Sequence, residues 1–572
     1  MPSAPDILGD AVERALGASA HIKPCADPKR GDYQANGVMT VAKQRGENPR
    51  ALAEKVIAQL QLSDVCEPPT VAGAGFINFR LKPSFVTDQI AAAVKDDRLG
   101  VPVAAMPKTV VIDFSSPNVA KPMHVGHIRS TIIGDCLARV MRFLGHHVIT
   151  DNHIGDWGTQ FGMLIVGMKN FPHDVESSPD PVAALESLYK RIYETIETAR
   201  TNPLGHTLFG YDARAEVVKL QQGDQENRAI WQKIIDLSRR EFEKTYHRLG
   251  VTFDHTLGES FYNPMLEKVV NDLLEKKIAT VSNSAACIFF EDNPELKTAA
   301  PLIVRKADGA FLYGTTDMAT LKYRIDQWHP DEIIYVTDAR QQLHFKQVFA
   351  TARKWLKNVP DLRHVYFGSI LGEDGKPLKT REGAPVKLSA LLDEAEERAL
   401  AVVTEKNPEL PPETRQEIAR AVGIGAVKYA DLSQNRMTDY VFSWSKMLAM
   451  TGNTAPYMQY AYVRVQSIFR KAGAATADVA GVALEHPAEL DLAKHILRFP
   501  ETLQAVAEDD KPNWLTGYLY DLANKFSAFY ENCPVLQSPE PTRSSRLVLC
   551  RLTADVMKRG LNLLGIDVIE QM

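Results

Sequence analysis

The six cysteines of this 572-residue chain (Cys25, Cys66, Cys136, Cys287, Cys533 and Cys550) are scattered, and no CxxC pair occurs. That argues against structural zinc and suits reduced thiols in a cytoplasm. No apolar run approaches the ~20 residues that cross a bilayer, and no signal-peptide core stands at the N-terminus, so a soluble cytoplasmic protein is expected. Strong net charge is also missing, at −5. A small negative total does not exclude RNA, because phosphate contact needs a local basic surface rather than a basic composition. Hydrophobic residues are plentiful at 45%, enough to fill several cores, and three or four domains are expected.

The densest chemistry lies between Asp113 and Gln160. Val110 to Phe114 is a short, almost continuous apolar run of the kind buried on both faces of a parallel sheet. Ile128, Ile132, Leu137, Val140, Met141 and Leu144 recur at helical spacing, Gly145 stands where a left-handed terminator belongs, and a second strand begins at Val148. Strand, helix and strand make a right-handed βαβ unit that opens its helix N-terminus at the carboxyl edge of the sheet, where such folds bind ligands. His124-Val125-Gly126-His127 sits at that edge. Free N–H groups and two imidazoles one turn apart can bind phosphate oxygens, and Gly126 lets a flat base approach. The bland alternatives are a helix start with two surface histidines, or half of a metal site completed by His153. Ser115-Ser116-Pro117-Asn118 and Lys121 precede the motif, and no carboxylate or cysteine lies at ligand spacing within it.

Asp113 to Thr131, continued by Asn152-His153-Ile154-Gly155-Asp156-Trp157-Gly158-Thr159-Gln160-Phe161-Gly162, closely resembles arginyl-tRNA synthetases of the bacterial type, which are class I enzymes. The resemblance implies an α/β fold: a Rossmann-type catalytic domain with insertions, an N-terminal α+β domain and a C-terminal α-helical bundle. It implies ATP binding by the histidine motif and a distant lysine loop on the pyrophosphate. Gly372 to Arg381 keeps the K-x-x-K-[ST] spacing in Lys376, Lys379 and Thr380, although Pro377 and Leu378 replace the usual middle residues. Alone, such a loop is an ordinary solvated turn. Beside the first motif, Lys379 and Lys376 are expected to neutralise charge on the triphosphate with Mg²⁺, with Lys121 as a compensating cation. His124, His127, Gly126, Lys379 and Thr380 are the expected nucleotide contacts, and no metal-ligating residues are expected.

Leu302–Arg305 and Ala310–Tyr313 look like a hairpin turned at Asp308-Gly309. In the resemblance Tyr313, Asp317 and Gln341 line the side-chain pocket for arginine, while Asp113, Ser116 and Asn118 hold its α-amino end. A guanidinium is a rigid fork of five donors that suits a carboxylate, a phenol and an amide oxygen. The local alternatives are an N-cap at Asp317 for a helix beginning near Met318, and an ordinary strand aromatic at Tyr313. Such a polar pocket rejects substrates lacking those donors by about 10⁴–10⁵, so no editing of mischarged tRNA is expected. The charged helical stretches Leu185–Arg200 and Gln225–Leu249 lie in an insertion at about 170–291 that reads as a scaffold.

The expected domains are 1–105, contacting the outer corner of tRNA; 106–405, catalytic; and 406–572, a helical anticodon-binding bundle. In the first, alternation along Gly73–Leu81 places Phe76, Asn78 and Arg80 on one face, for a base and phosphate or simply for a half-buried strand. In the last, helices are expected at Glu413–Ala430, Tyr457–Lys471, Asp491–Ala507, Trp514–Asn532 and Ser545–Leu564. Trp444, Tyr457 and Arg464 could stack anticodon bases, against a plain core role. The expected activity is ligation of arginine to a tRNA through an adenylate, by a monomer that needs tRNA bound before it activates the amino acid. A nucleotidylyltransferase acting on a small substrate and a non-catalytic tRNA-binding relative are the alternatives.

Overall fold

A computed structural model describes residues 2–201, 213–379, 385–473 and 482–570. The chain divides into two units: Ala105–Leu448 with Leu564–Ile566, and Met1–Ala104 with Ala449–Leu563 and Asp567–Met572. Among the described residues no helix is long and apolar enough to cross a membrane.

The first of these units is built on a four-stranded parallel sheet. Its strands are β1 (Thr109–Asp113), β2 (His147–Asp151), β3 (Glu332–Tyr335) and β4 (Asp361–His364), in the order β4-β3-β1-β2. Val110, Val111 and Ile112 of β1 are almost completely buried, as a strand covered on both faces must be. Helix α1 (Val125–Phe143) joins β1 to β2 and ends just before Gly145, whose φ of 95° only glycine adopts readily. The expected strand–helix–strand unit is therefore present. Helix α2 (Gln225–Leu249) lies in the inserted region with Pro181–Thr201 before it. Helices α3 (Tyr313–Trp328) and α4 (Gln342–Trp355) flank β3, and Leu321, Val348 and Trp355 join Val111 and Ile333 in one apolar core.

The region around Tyr313 differs from the expected hairpin. Leu302–Arg305 pairs with Ala285–Ile288, the turn does fall at Asp308-Gly309, but the return reaches only an isolated bridge between Arg305 and Phe311. Tyr313 begins α3 instead of ending a strand, and Asp317 lies inside that helix rather than capping it. The cause is close packing: a Cβ on Gly314 would meet Leu302 Cδ1 at 2.8 Å, and the Thr315 hydroxyl donates to the Val304 carbonyl. Chain that must tuck this tightly against a strand cannot also pair with it.

The helical stretch expected from 406 to 572 is shared between the units. Helices α5 (Leu388–Lys406) and α6 (Pro412–Leu432) pack on each other and on α1, within the first unit. Short strands β5 (Ile370–Leu371) and β6 (Tyr440–Val441) pair there too. In the other unit an antiparallel sheet runs Ile22–Pro24, Tyr33–Ala35, Phe76–Phe79, Thr70–Ala72. Its helices Ala455–Ala472, Asn513–Asn532 and Thr542–Leu563 match expectation, but Asp491–Ala507 is broken into Pro487–Ile496 and Phe499–Asp509. Pro500 has no N–H to continue the first helix and instead opens the second.

Candidate active site

At the end of β1 the backbone turns through two consecutive left-handed residues, Ser115 (φ 74°) and Ser116 (φ 48°). Neither is glycine, so the turn is strained, and its neighbours hold it. Ser115 N–H donates to Ser130 Oγ at 2.8 Å, Ser116 N–H to Asn152 Oδ1 at 3.1 Å, and Ser116 Oγ to Asp113 Oδ1 at 3.1 Å. Asn118 is exposed and bridges Gly155, where a Cβ would fall 2.2 Å from Asn118 Oδ1. Asp113, Ser116 and Asn118 are thus brought together at the carboxyl edge.

His124 is the N-cap of α1. Its Nδ1 accepts the Gly126 N–H at 3.0 Å, and His127 Nδ1 accepts the His124 N–H at 3.0 Å, forming a capping box of two imidazoles. These bonds assign the proton of each neutral ring to Nε2, the atom left to meet a ligand. Burial, then the neighbouring His124, pushes His127 down to about 3. Burial, then Arg340 and Lys121, lowers His124 too. Both rings are therefore neutral donors, 4.0 Å apart between centroids. Gly126 has a local reason beside the expected one: a Cβ there would meet His124 Cε1 at 2.8 Å. His153 turns its Nδ1 to the Leu257 carbonyl, and among the described residues no group of three metal-ligating side chains assembles.

Both ends of the lysine loop are tied to α1. On the incoming side Arg129, 1% exposed, donates to the carbonyls of Gly368 (2.8 Å) and Thr438 (3.1 Å) and pairs with buried Asp431. On the outgoing side Lys387 bridges His124, and Val125 N–H donates to the Val386 carbonyl at 2.9 Å. Between them Lys376 and Lys379 are exposed, while Thr380 lies outside the described residues. Lys121 is exposed near His124, as is Arg340, which Asp338 grips through Nε and Nη2 at 2.8 and 2.9 Å. Arg340 is a cation that sequence reasoning missed.

Helix α3 carries the acidic side. Asp317 accepts from His344 Nε2 on α4. Burial opposes charge on His344, but this bond and the attraction of Asp317 outweigh it and raise its pKa. Glu259 is coupled to Asp156 and Asp317; burial first, then those two carboxylates, lifts it to about 8. Burial also raises Asp156, against two hydrogen bonds from Ser260. Tyr313, 73% exposed, stands one turn before Asp317, and exposed Gln341 precedes α4. Glu259, Asp156 and His344 were not foreseen. Asp156 lies inside the Asn152–Gly162 motif, whereas Glu259 carries no local signal.

Asp113 does not face the site freely. Its Oδ2 accepts from the fully buried Arg324 Nη2 at 2.7 Å, which also reaches Asp151 Oδ2 at 2.8 Å. Of the residues proposed to meet tRNA, Asn78 is turned inward: it is 3% exposed and accepts from Gln34 Nε2 at 2.8 Å. The other face of the strand is buried as expected, so the small sheet is covered on both sides at this point and Asn78 offers no surface. Phe76 is half-buried. Arg398 stacks on Trp444 at 5.1 Å, Tyr457 bonds Asn524, and Arg464 stacks on Tyr530 at 4.6 Å.

Three family models fit in order: "Arginyl tRNA synthetase N terminal domain" at 6–81, "tRNA synthetases class I (R), catalytic domain" at 89–444 and "DALR anticodon binding domain" at 458–572. The chain belongs to the arginyl-tRNA synthetase family. It is 48% identical to an arginine–tRNA ligase of Synechococcus elongatus, covering 96% of this chain and 95% of the relative. For that of Chromobacterium violaceum the values are 46%, 99% and 99%. Among solved structures, the arginyl-tRNA synthetase of Plasmodium falciparum aligns with a TM-score of 0.82 at 32% identity, covering 99% of this chain and 98% of that one. That of Thermus thermophilus aligns at 0.84 and 25%, covering 99% of each. As an arginyl-tRNA synthetase the chain is a class I ligase that aminoacylates tRNA with arginine. That displaces both the nucleotidylyltransferase and the non-catalytic alternatives.

Proposed function

We propose that the edge of β1 and the start of α1 activate arginine with ATP, and that α3 selects the amino acid. The carboxylate of arginine attacks the α-phosphate in line, giving arginyl-adenylate and pyrophosphate; a ribose hydroxyl of the terminal tRNA adenosine then attacks the activated carbonyl. The protein supplies orientation and charge stabilisation rather than a covalent nucleophile. His124 and His127 donate Nε2–H to phosphate oxygens, and Lys376, Lys379 and Lys121 offset charge toward the pyrophosphate, with Thr380 as a further nucleotide contact. Mg²⁺ entering with the triphosphate would supply further charge neutralisation as the α–β phosphate bond breaks, a task shared with Lys376, Lys379 and Lys121.

Tyr313, Asp317 and Gln341 receive the guanidinium, joined by Glu259 and Asp156; Asp113, Ser116 and Asn118 hold the α-amino end. The observation that carries this reading is the imidazole capping box at the start of α1 in one unit with α3, which presents Tyr313 one turn before an Asp317 held by His344. The 1–105 region meets the outer corner of tRNA, with Phe76 as a contact, and 406–572 reads the anticodon with Trp444, Tyr457 and Arg464. No editing activity accompanies them, and tRNA binding precedes activation. ATP–pyrophosphate exchange with each amino acid, with and without total tRNA, tests the whole: only arginine with tRNA should support exchange. Equal exchange without tRNA, or with lysine, overturns it.

A further inference from the structure

Tyr335, Asp113 and Asp151 form one row across the carboxyl edge of β3, β1 and β2, each paired in register with the next. Side chains at one register of neighbouring strands share a face. Two buried carboxylates side by side repel, and burying either unpaired is costly. Arg324 of α3 answers both. It is fully buried, its Nη2 touches both carboxylates, and its Cζ stands 5.4 Å from the Tyr335 ring centre. With Oδ2 held by this interior cation, Asp113 keeps Oδ1 toward Ser116 and the strained turn that opens the site.

Arg324 follows Asp317 by seven residues, two helical turns, so one face of one rigid helix carries both. Arginine bears a cation at each end, and a cleft with carboxylates at both ends could take it either way round. Here the Arg324 guanidinium partly neutralises the Asp113–Asp151 end, while the Asp156–Glu259–Asp317 end has imidazoles against it, His344 on Asp317 and His153 near Asp156.

We infer that Arg324 is a positioning residue: it orients Asp113 for the α-ammonium of arginine and gives the amino-acid site its direction. This rests on the reading of Asp113 given above. The test is pyrophosphate exchange with tRNA, measuring KM for arginine and ATP and the inhibition constant of 5-guanidinopentanoate, which is arginine without its α-amino group. In the parent, arginine should bind about 10- to 100-fold more tightly than this competitor, the worth of a charge-assisted hydrogen bond.

The double variant Arg324→Gln/Asp151→Asn keeps the net charge of the row at minus one. It should bring arginine down to the competitor's level, with the competitor's constant and the KM for ATP nearly unchanged. Arg324→Lys, which retains the cation and is the milder change, should keep part of the discrimination. Equal weakening of both ligands, or unaltered discrimination, in these variants overturns the inference. Asp113→Asn separates the two readings. If it preserves discrimination, the assignment of Asp113 fails; if it abolishes discrimination while the Arg324 variants retain it, only the inference about Arg324 fails.

Discussion

A histidine lowered to about 3 is neutral across the physiological range, and at His127 this follows from burial more than from any single neighbour. The folded chain holds fewer protons there than the unfolded chain between pH 3 and 6.5, so its stability is fully present above 6.5 and lost as pH falls through that window. Replacing His127 with Asn, which keeps a donor, should flatten the acid limb of stability in denaturant titrations at pH 4 to 7. It should also slow adenylate formation by about 10²–10³, the cost of a lost transition-state donor, to the extent that Asn cannot reach the same oxygen. Glu259 behaves oppositely. At about 8 it is protonated at pH 7, and the guanidinium proposed to bind beside it would drive the proton off. Arginine affinity should therefore rise by up to about tenfold per unit from pH 6 to 8. Calorimetry in buffers of different ionisation enthalpy should show proton release on binding, and Glu259→Gln should abolish both effects.

At the scale of elements, the lysine loop is set by what lies at its two ends rather than by its own residues. Arg129 and Asp431 are both 1% exposed, and their pair joins α1 to α6 beside Gly368. Removing one member leaves the other charged and buried, so Arg129→Met should destabilise by about 3–5 kcal/mol in urea unfolding. Lys379→Ala changes an exposed side chain and should leave unfolding unaltered. Its expected effect is a fall of about 10²–10³ in the rate of adenylate formation with KM for arginine unchanged. The βαβ unit and long helices were legible because apolar period and glycine terminators are local. The start of α3 was not, because Gly314 and Thr315 answer to Leu302 and Val304 on a neighbouring strand.

For the whole molecule, residues from the two ends of the chain build one unit. Lys494 pairs with Asp32 at 2.8 Å, and Tyr33 donates to Glu501 at 2.8 Å. Deleting residues 1–104 should therefore destabilise the helices after 449, seen as a lower melting temperature, rather than merely weaken tRNA binding. A monomer is the working unit expected, and light scattering should return 63.6 kDa; a mass twice that would refute it.

Motifs whose meaning is local survived the passage from sequence to structure: the imidazole pair at a helix start, the Asp113–Asn118 turn, and the family that the stretch 113–162 resembles. Tertiary structure alone decided which charges meet. Arg324 with Asp113 and Asp151, Glu259 with Asp317, and Arg129 with Gly368 are each separated by tens to hundreds of residues. A side chain's protonation and orientation depend on burial and on partners brought by other elements, and no periodicity along the chain encodes either.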